Sequence, residues 1–268
     1  WILNGLVKKI VLGDYIAINF IDRVFANPLM FSGFENLSAL FGYSLQVYAD
    51  FSGYTDIAIG VALLMGFYLP KNFNSPYKAT NASNFWKRWH ISLSTWFKDY
   101  LYISLGGNKV SVPRWYFNLF FVFLVSGFWH GANWTFMIWG ALHGFYLVFA
   151  ILINKPAKYM TRKTGLSKMP FLYNSFQLLT TFALVTFAWI FFRADSLSEA
   201  TQIVRKIFTS FGPVFYESPY ELIYAAIGIT MLLLVEFKRE YFNSRLSLLY
   251  NKSPVSYTHL TLPTIYSV

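Results

Sequence analysis

Two long apolar segments that meet at a histidine constrain the fold of this sequence more than any other feature. The first runs from Phe117 to Phe128 and leads into His130, and the second runs from Trp134 to Ile153. A helix that crosses a bilayer needs about 20 predominantly apolar residues, so the second segment is long enough to span and the first is short. Gly131 and Asn133 favour a helix break between them. We therefore predict an imidazole at the junction of two membrane-embedded helices.

The composition agrees with a protein that crosses the lipid bilayer several times. Only 13% of the 268 residues are charged and 56% are hydrophobic, whereas soluble domains carry about 25% charged residues. The formal net charge of +10 is typical of lysine and arginine flanking membrane helices, and no basic run interleaved with aromatic residues indicates nucleic-acid binding. The absence of cysteine excludes disulfides, a thiolate metal site and a cysteine nucleophile.

Further helical segments complete the prediction of an all-α, polytopic membrane bundle with interfacial or re-entrant amphipathic helices. We expect five to six membrane segments, no internal repeat and no soluble second domain. The additional helices are residues 1–25, Leu37–Leu69, Phe171–Phe192, a short polar-faced helix Ser196–Phe211 with Ser198 as its N-cap, and Tyr220–Val235. Lysines and arginines between Lys155 and Lys168 form a loop that the positive-inside tendency places in the cytoplasm.

One amphipathic helix is predicted from Asn84 to Tyr102, either in the headgroup plane or re-entering the bundle. At about 100° per residue, one face carries the apolar and aromatic residues Trp86, Trp89, His90, Leu93, Trp96, Phe97 and Tyr100. Asp99 lies on the opposite, polar face. A lone histidine on an apolar face is more often a packing residue than a catalytic one, so the periodicity leaves the role of His90 open.

Two carboxylates, Asp50 and Asp56, fall inside the predicted helix Leu37–Leu69 and require partners at membrane depth. Gly53 and Gly60 of the same helix permit close helix packing or a kink. The carboxylates are either structural acids with satisfied partners or a proton or ion relay, as in a transporter. Transporters typically contain paired repeats with broken helices, which this sequence does not show. We therefore assign Asp50, Asp56 and also Asp99 a structural role.

The chemistry that remains open to this sequence is acid–base catalysis by histidine. On one continuous helix, His130 and His143 would lie about 20 Å apart, so only a break near Gly131–Asn133 brings them together. No close histidine pair or carboxylate cluster predicts a metal site, and no hydrolase elbow or phosphate loop occurs. An imidazole with Trp129, Asn133 and Trp134 beside it suits a general base in acyl transfer from a thioester. The alternative is a helix-end histidine that only hydrogen-bonds backbone.

Seven sequence blocks in order resemble the bacterial, alginate-acetylating branch of the membrane-bound O-acyltransferase family. They are Tyr48–Tyr54, Asn72–Tyr77, Phe85–Ser94, Trp96–Tyr102, Leu105–Asn108, Phe128–Trp134 and Trp189–Ala194. The resemblance, over about positions 1 to 250, implies a helical bundle around a tunnel, with catalytic His130 and a second histidine, His90, at its constriction. It implies that the tunnel wall includes Trp89, Trp96, Trp129, Asn133, Trp134 and His143, the last at a recurrent position of unclear role.

The resemblance also implies the substrates and the location. Acetyl-CoA would present its thioester from the cytoplasm without being a bound cofactor, and the acetyl group would pass to an extracytoplasmic polysaccharide. A secreted or membrane-anchored acetyltransferase is the expected partner, and the inner cell membrane is the expected location. The alternative within the family is D-alanyl transfer to teichoic acid from a carrier-protein thioester.

The ends of the sequence indicate a piece of a longer protein. Residue 1 is tryptophan, and the first membrane segments of the family have no counterpart here, so residues 1–253 are expected to be a partial acyltransferase domain. Residues 254–268 contain no charged side chain and no helical period. We expect this stretch to be a non-native tail, and we exclude His259 from functional consideration with it.

Overall fold

A computed structural model describes residues 1–212 together with Thr230 and Leu234. Within this part of the chain the regular structure is helical, without strands, and the predicted all-α class is confirmed. The α-helices are α1 (Ile2–Leu6), α2 (Asp22–Ala26), α3 (Gly33–Leu64), α4 (Ala82–Trp86), α5 (Ile91–Trp96), α6 (Val112–His130), α7 (Trp134–Lys163), α8 (Pro170–Arg193) and α9 (Leu197–Thr209). Wider π-helical turns form Val7–Asp14, Ala17–Ile21 and Phe97–Tyr102, and single 3-10 turns form Pro28–Met30, Pro76–Lys78 and Leu166–Lys168.

Two predictions fall beyond the described residues. The expected membrane segment Tyr220–Val235 lies outside them apart from Thr230 and Leu234, and so does the expected tail 254–268. Among the described residues, α7 and α8 are long and apolar enough to cross a membrane by length and composition. The expected total of five to six membrane segments therefore stays a prediction.

The N-terminal helical segment packs closely against α3 through glycines. A Cβ atom on Gly5 would lie 2.5 Å from the carbonyl oxygen of Gly53, and one on Gly60 would lie 2.5 Å from Ile2. The contacts run in opposite directions along the two chains, so the segments are antiparallel. Close packing by small residues is a common means of helix association in membranes. Of the two predicted roles for Gly53 and Gly60, the structure shows close packing.

The two carboxylates inside α3 are both paired with lysines of this N-terminal segment. Lys8 Nζ lies 3.0 Å from Asp56 Oδ2, and Asn4 Nδ2 donates a hydrogen bond to the same oxygen at 2.7 Å. The Lys8 and Asp56 side chains are 5% and 9% exposed. Lys9 forms an ion pair with Asp50 that is half-exposed. These partners favour a structural role for the acids over a coupling site of a transporter.

Replacing Lys8 with methionine is expected to destabilise the protein by about 3–5 kcal/mol, because a buried carboxylate loses its counter-charge. The double variant Lys8→Met, Asp56→Leu is expected to recover most of that loss, since it buries no charge. Lys98→Met is the matched control, because the Lys98–Asp99 pair is exposed and exposed pairs contribute little. Thermal denaturation in detergent measures all three. A Lys8→Met protein as stable as the Lys98→Met protein would contradict this account of the pair.

The predicted single helix from Asn84 to Tyr102 is wrong. α4 ends at Trp86, His90 adopts a left-handed conformation with φ of 43°, and α5 begins at Ile91. The cause is tertiary, because the loop before α4 takes the hydrogen bonds that a continuous helix would use. Asn74 N–H donates to Arg88 O and Ile91 N–H donates to Asn72 O, both at 2.9 Å. The residues predicted to share one apolar face also differ in burial, since Trp89 is 4% exposed and Trp96 is 50% exposed.

The amphipathic helix α9 forms as predicted, but its N-cap is Ser196 and not Ser198. Glu199 N–H donates to Ser196 Oγ at 3.2 Å, and Asp195 N–H donates to Glu199 Oε2 at 3.1 Å. This reciprocal arrangement satisfies two amides at the start of the helix. Burial raises the pKa of Glu199, and the hydrogen bond from Asp195 opposes the shift. The cap fixes the turn between α8 and α9, which adjoins the loop after His130.

Candidate active site

The predicted helix break after His130 is present in the structure. α6 ends at His130, and Asn133 caps α7 by accepting a hydrogen bond from Thr135 N–H at 3.2 Å. The Asn133 Nδ2 group donates to the carbonyl oxygen of Asp195 at 2.9 Å. One asparagine therefore starts α7 and ties the α6–α7 turn to the α8–α9 turn. His130 thus has a fixed place between two anchored turns.

Aromatic rings surround the imidazole of His130 on several sides. Its ring centroid lies 5.0 Å from Trp129 and 5.0 Å from Trp139, both edge-on, and 5.2 Å from Phe192. The ring of Phe136 stacks at 6.4 Å. His130 nevertheless remains partly exposed. The geometry therefore combines an imidazole restrained by neighbouring rings with incomplete burial among the described residues.

The break brings His143 near His130 without direct contact between them. Trp139 lies between the two imidazoles, 5.0 Å from His130 and 5.1 Å from His143. His143 is fully buried, and its Nδ1 accepts a hydrogen bond from Trp86 Nε1 at 3.3 Å. An indole N–H can only donate, so the neutral His143 ring carries its proton on Nε2. That Nε2 atom has no hydrogen-bond partner among the described residues.

His90 approaches the same region from a distant part of the chain. It occupies the left-handed corner between α4 and α5, and its ring packs edge-on against Phe51 of α3 at 4.7 Å. His90 Nδ1 lies 3.3 Å from Asn72 Oδ1. The segment that follows His90 contacts the His130 region, since the ring of Phe97, directly after α5, lies 6.4 Å from that of Trp129. The structure therefore assembles two partly buried imidazoles from separate sequence blocks.

The residues expected to line a tunnel occupy different environments. Trp89 is buried against Phe73 and Trp189, with ring centroids 5.0 and 5.1 Å away. The more exposed members of the predicted wall are Trp96, Trp129, Asn133 and Trp134. An apolar surface groove of about 470 Å³ lies between Tyr54 and Leu69 and includes none of these residues. The tunnel and the roles of its predicted lining therefore stay predictions.

Two residues of the His130 environment, Trp139 and Phe192, were not singled out from the sequence. Trp139 lies four residues before His143 on α7, and this spacing places both on one helix face. The helical period was therefore a usable signal for Trp139. Phe192 comes from α8 and reaches His130 only through tertiary packing, so no local signal indicates it.

Residues 6–194 match the model of MBOAT, the membrane-bound O-acyltransferase family. The chain is 44% identical over 210 residues to the probable alginate O-acetylase AlgI of Pseudomonas aeruginosa, covering 78% of this chain and 38% of that protein. It is 45% identical over 201 residues to the peptidoglycan O-acetyltransferase of Helicobacter pylori, covering 75% and 36%. It is 34% identical over 154 residues to the teichoic acid D-alanyltransferase of Bacillus subtilis, covering 53% and 38%. The chain thus spans less than half the length of each relative.

Proposed function

Because the chain belongs to the membrane-bound O-acyltransferase family, we propose that it transfers acetyl groups to hydroxyls of an extracytoplasmic polysaccharide. Two relatives above 40% identity support acetyl as the acyl group, since one is named an alginate O-acetylase and the other a peptidoglycan O-acetyltransferase. The observation that carries the proposal is His130, a restrained and only partly buried imidazole at a helix break.

In the proposed mechanism, a neutral imidazole of His130 acts as general base. It accepts the proton of the acceptor hydroxyl while the hydroxyl oxygen attacks the thioester carbonyl carbon. The C–O ester bond forms, the C–S bond breaks, and the imidazolium returns the proton to the departing thiolate. A transient acyl-histidine is the variant in which the imidazole nitrogen attacks first and the hydroxyl attacks second. His90 would assist as the second imidazole, and the aromatic rings around His130 would limit the access of water.

Acetyl-CoA is the proposed donor, and the charge distribution supports its approach from one end of the bundle. The predicted basic loop is helical as far as Lys163, because α7 runs from Trp134 to Lys163, and the last turns of α7 carry Lys155, Lys158, Arg162 and Lys163. These charges begin about 30 Å along the helix from its N-terminal end, beyond which His130 lies. If these basic turns are cytoplasmic, the donor phosphates meet positive charge at that end, and the thioester arm extends along the bundle toward His130. Only the acetyl group then continues to the acceptor side. This arrangement fits an inner-membrane, multi-pass protein.

A secreted or membrane-anchored acetyltransferase is the proposed partner that delivers the acetyl group to the polymer. The second candidate function is D-alanyl transfer, which the identity to the Bacillus subtilis D-alanyltransferase supports. A transporter is less well supported, because the acids that would couple ions, Asp50 and Asp56, are held by lysines.

Deletion of the gene that encodes this chain is expected to remove ester-linked acetate from surface polysaccharide or from peptidoglycan. The physical reason is that no other group then links the cytoplasmic thioester to the outer hydroxyl. Mild alkaline hydrolysis followed by chromatography measures the released acetate, and re-expression of the full-length protein is the control. Unchanged ester-linked acetate together with a loss of D-alanine esters would contradict acetyl transfer and support D-alanyl transfer.

A further inference from the structure

A hydrogen-bonded cluster beside His90 contains an asparagine, Asn72, to which neither the family resemblance nor the proposed mechanism assigns a role. Asn72 Oδ1 accepts hydrogen bonds from the backbone N–H of Ser92 at 3.1 Å and from Ser92 Oγ at 2.9 Å. The same oxygen lies 3.3 Å from His90 Nδ1. One side-chain oxygen therefore contacts both the start of α5 and the imidazole.

The backbone amide of Ser92 determines which end of the Asn72 side chain faces this cluster. A backbone N–H can only donate, so the atom that receives it is the carbonyl oxygen and not the amide nitrogen. An amide oxygen can only accept, so a hydrogen bond with His90 requires the proton on Nδ1. The neutral His90 ring then carries its lone pair on Nε2.

We infer that Asn72 is a positioning residue that fixes the Nδ1–H tautomer of His90 and presents Nε2 as its basic nitrogen. The inference rests on the proposed function, in which His90 is the second imidazole of the acyl-transfer site. It specifies which nitrogen can accept a proton there. A base whose other nitrogen is held by a third group is a common feature of activated catalytic sites.

The surrounding backbone holds Asn72 and His90 in register. The backbone oxygen of Asn72 accepts a hydrogen bond from Ile91 N–H at 2.9 Å. The backbone N–H of Asn74 donates to Arg88 O, also at 2.9 Å. The left-handed φ of 43° at His90 is uncommon for a residue with a side chain. Phe51 restricts the ring from a further direction. Ser92 Oγ also lies 3.5 Å from His90 Nδ1, but it donates its one proton to Asn72 Oδ1 at 2.9 Å, so toward the ring it can only accept.

His143 supplies an internal reference, because its contacts select the opposite tautomer. Its Nδ1 accepts from Trp86 Nε1, so His143 carries its proton on Nε2. The chain has four histidines, few enough to assign individually by substitution. Solid-state nitrogen-15 spectra of histidine-labelled, full-length protein in lipid bilayers distinguish the two tautomers. Signals are assigned with His90→Gln and His143→Gln.

The expected spectrum shows Nδ1–H for His90 and Nε2–H for His143 in the wild-type protein. Asn72→Leu is expected to remove the preference at His90, and Asn72→Asp is expected to keep it because a carboxylate oxygen also accepts. Asn74→Ala is the matched control, since Asn74 contributes its backbone to the pairing. An Nε2–H signal for wild-type His90 would overturn the inference, as would an unchanged Nδ1–H signal in Asn72→Leu. If Asn72→Leu does not fold, the wild-type and Asn72→Asp spectra decide.

The activity measurements separate this inference from the proposed function. Asn72→Leu is expected to lower the turnover number about tenfold or more, as loss of the correct tautomer does in other enzymes. Asn72→Asp is expected to keep more activity and to move the acidic limb of the pH–rate profile to higher pH, because the added charge stabilises the imidazolium. If the wild-type protein shows the expected tautomers but transfers no acyl group, the proposed function is contradicted and the positioning role of Asn72 stands. An Asn72→Asp protein with an unchanged pH profile would contradict the assisting role of His90 in acyl transfer.

Discussion

Replacing His130 with alanine is expected to abolish acetyl transfer while the protein is still made and inserted. A positioned general base contributes about 10²–10⁴-fold to the rate, so the loss of O-acetylation should exceed a hundredfold. The fold should tolerate the change because His130 is the last residue of α6 and partly exposed. Ester-linked acetate on the polymer and the amount of protein in the membrane fraction are the two measurements.

The chain offers a matched control for this substitution. Lys98→Met removes an exposed side chain instead of an imidazole, and its activity should equal that of the unmodified protein. Retained O-acetylation in a His130→Ala protein would remove the central step of the proposed mechanism. Loss of acetylation together with loss of protein from the membrane would instead assign His130 a structural role.

Introducing a single methyl group at Gly127 or Gly140 is expected to prevent normal packing of α6 against α7. A Cβ on Gly127 would lie 2.3 Å from the carbonyl oxygen of Phe136, and one on Gly140 would lie 2.3 Å from that of Phe123. Both obstacles are backbone atoms of the facing helix, so no side-chain rotation relieves them. Overpacking of this kind costs about 3 kcal/mol. For a domain of this size the denaturation midpoint should fall by about 6–12 °C.

Gly42→Ala in α3 is the control for these two variants. Its nearest neighbours would be side-chain atoms of Ile21 at 3.3 and 3.4 Å and not backbone atoms, and alanine favours helix more than glycine does. The Gly42→Ala protein should therefore be about as stable as the unmodified chain. Thermal denaturation in detergent compares the three variants. Gly127→Ala or Gly140→Ala proteins with unchanged midpoints would show that the helices are not held as closely as this structure describes.

The helical part of the fold was largely predictable, because hydrophobic periodicity and turn residues act locally. The break at Gly131–Asn133 and the start and end of α8 follow from glycine, asparagine, proline and charged residues at helix ends. The prediction failed between Asn84 and Tyr102, where the sequence has a continuous helical period. There the backbone of Asn72 and Asn74 binds residues 88–91, and a loop distant in sequence ends the helix.

The candidate site was predictable only in its chemical groups. His130 and His90 were identifiable from the motifs that contain them. Their environment was not, since Phe192 reaches His130 from α8 and Asn72 reaches His90 from the preceding loop. The sequence likewise predicted that Asp56 needs a partner at membrane depth, but it did not identify Lys8 as that partner. Such contacts depend on how the helices associate, which local patterns do not specify.

The sequence by itself determined that this chain forms membrane helices, that an imidazole lies at a helix junction, and that the family motifs are present. These properties depend on residue type and short-range spacing, which are fixed along the chain. Only the tertiary structure decided that Trp139 contacts both His130 and His143, and that Nδ1 faces an amide oxygen in His90 and an indole N–H in His143. The reason is that the protonation site of an imidazole depends on the donor or acceptor placed beside it, and folding brings that neighbour from another part of the chain.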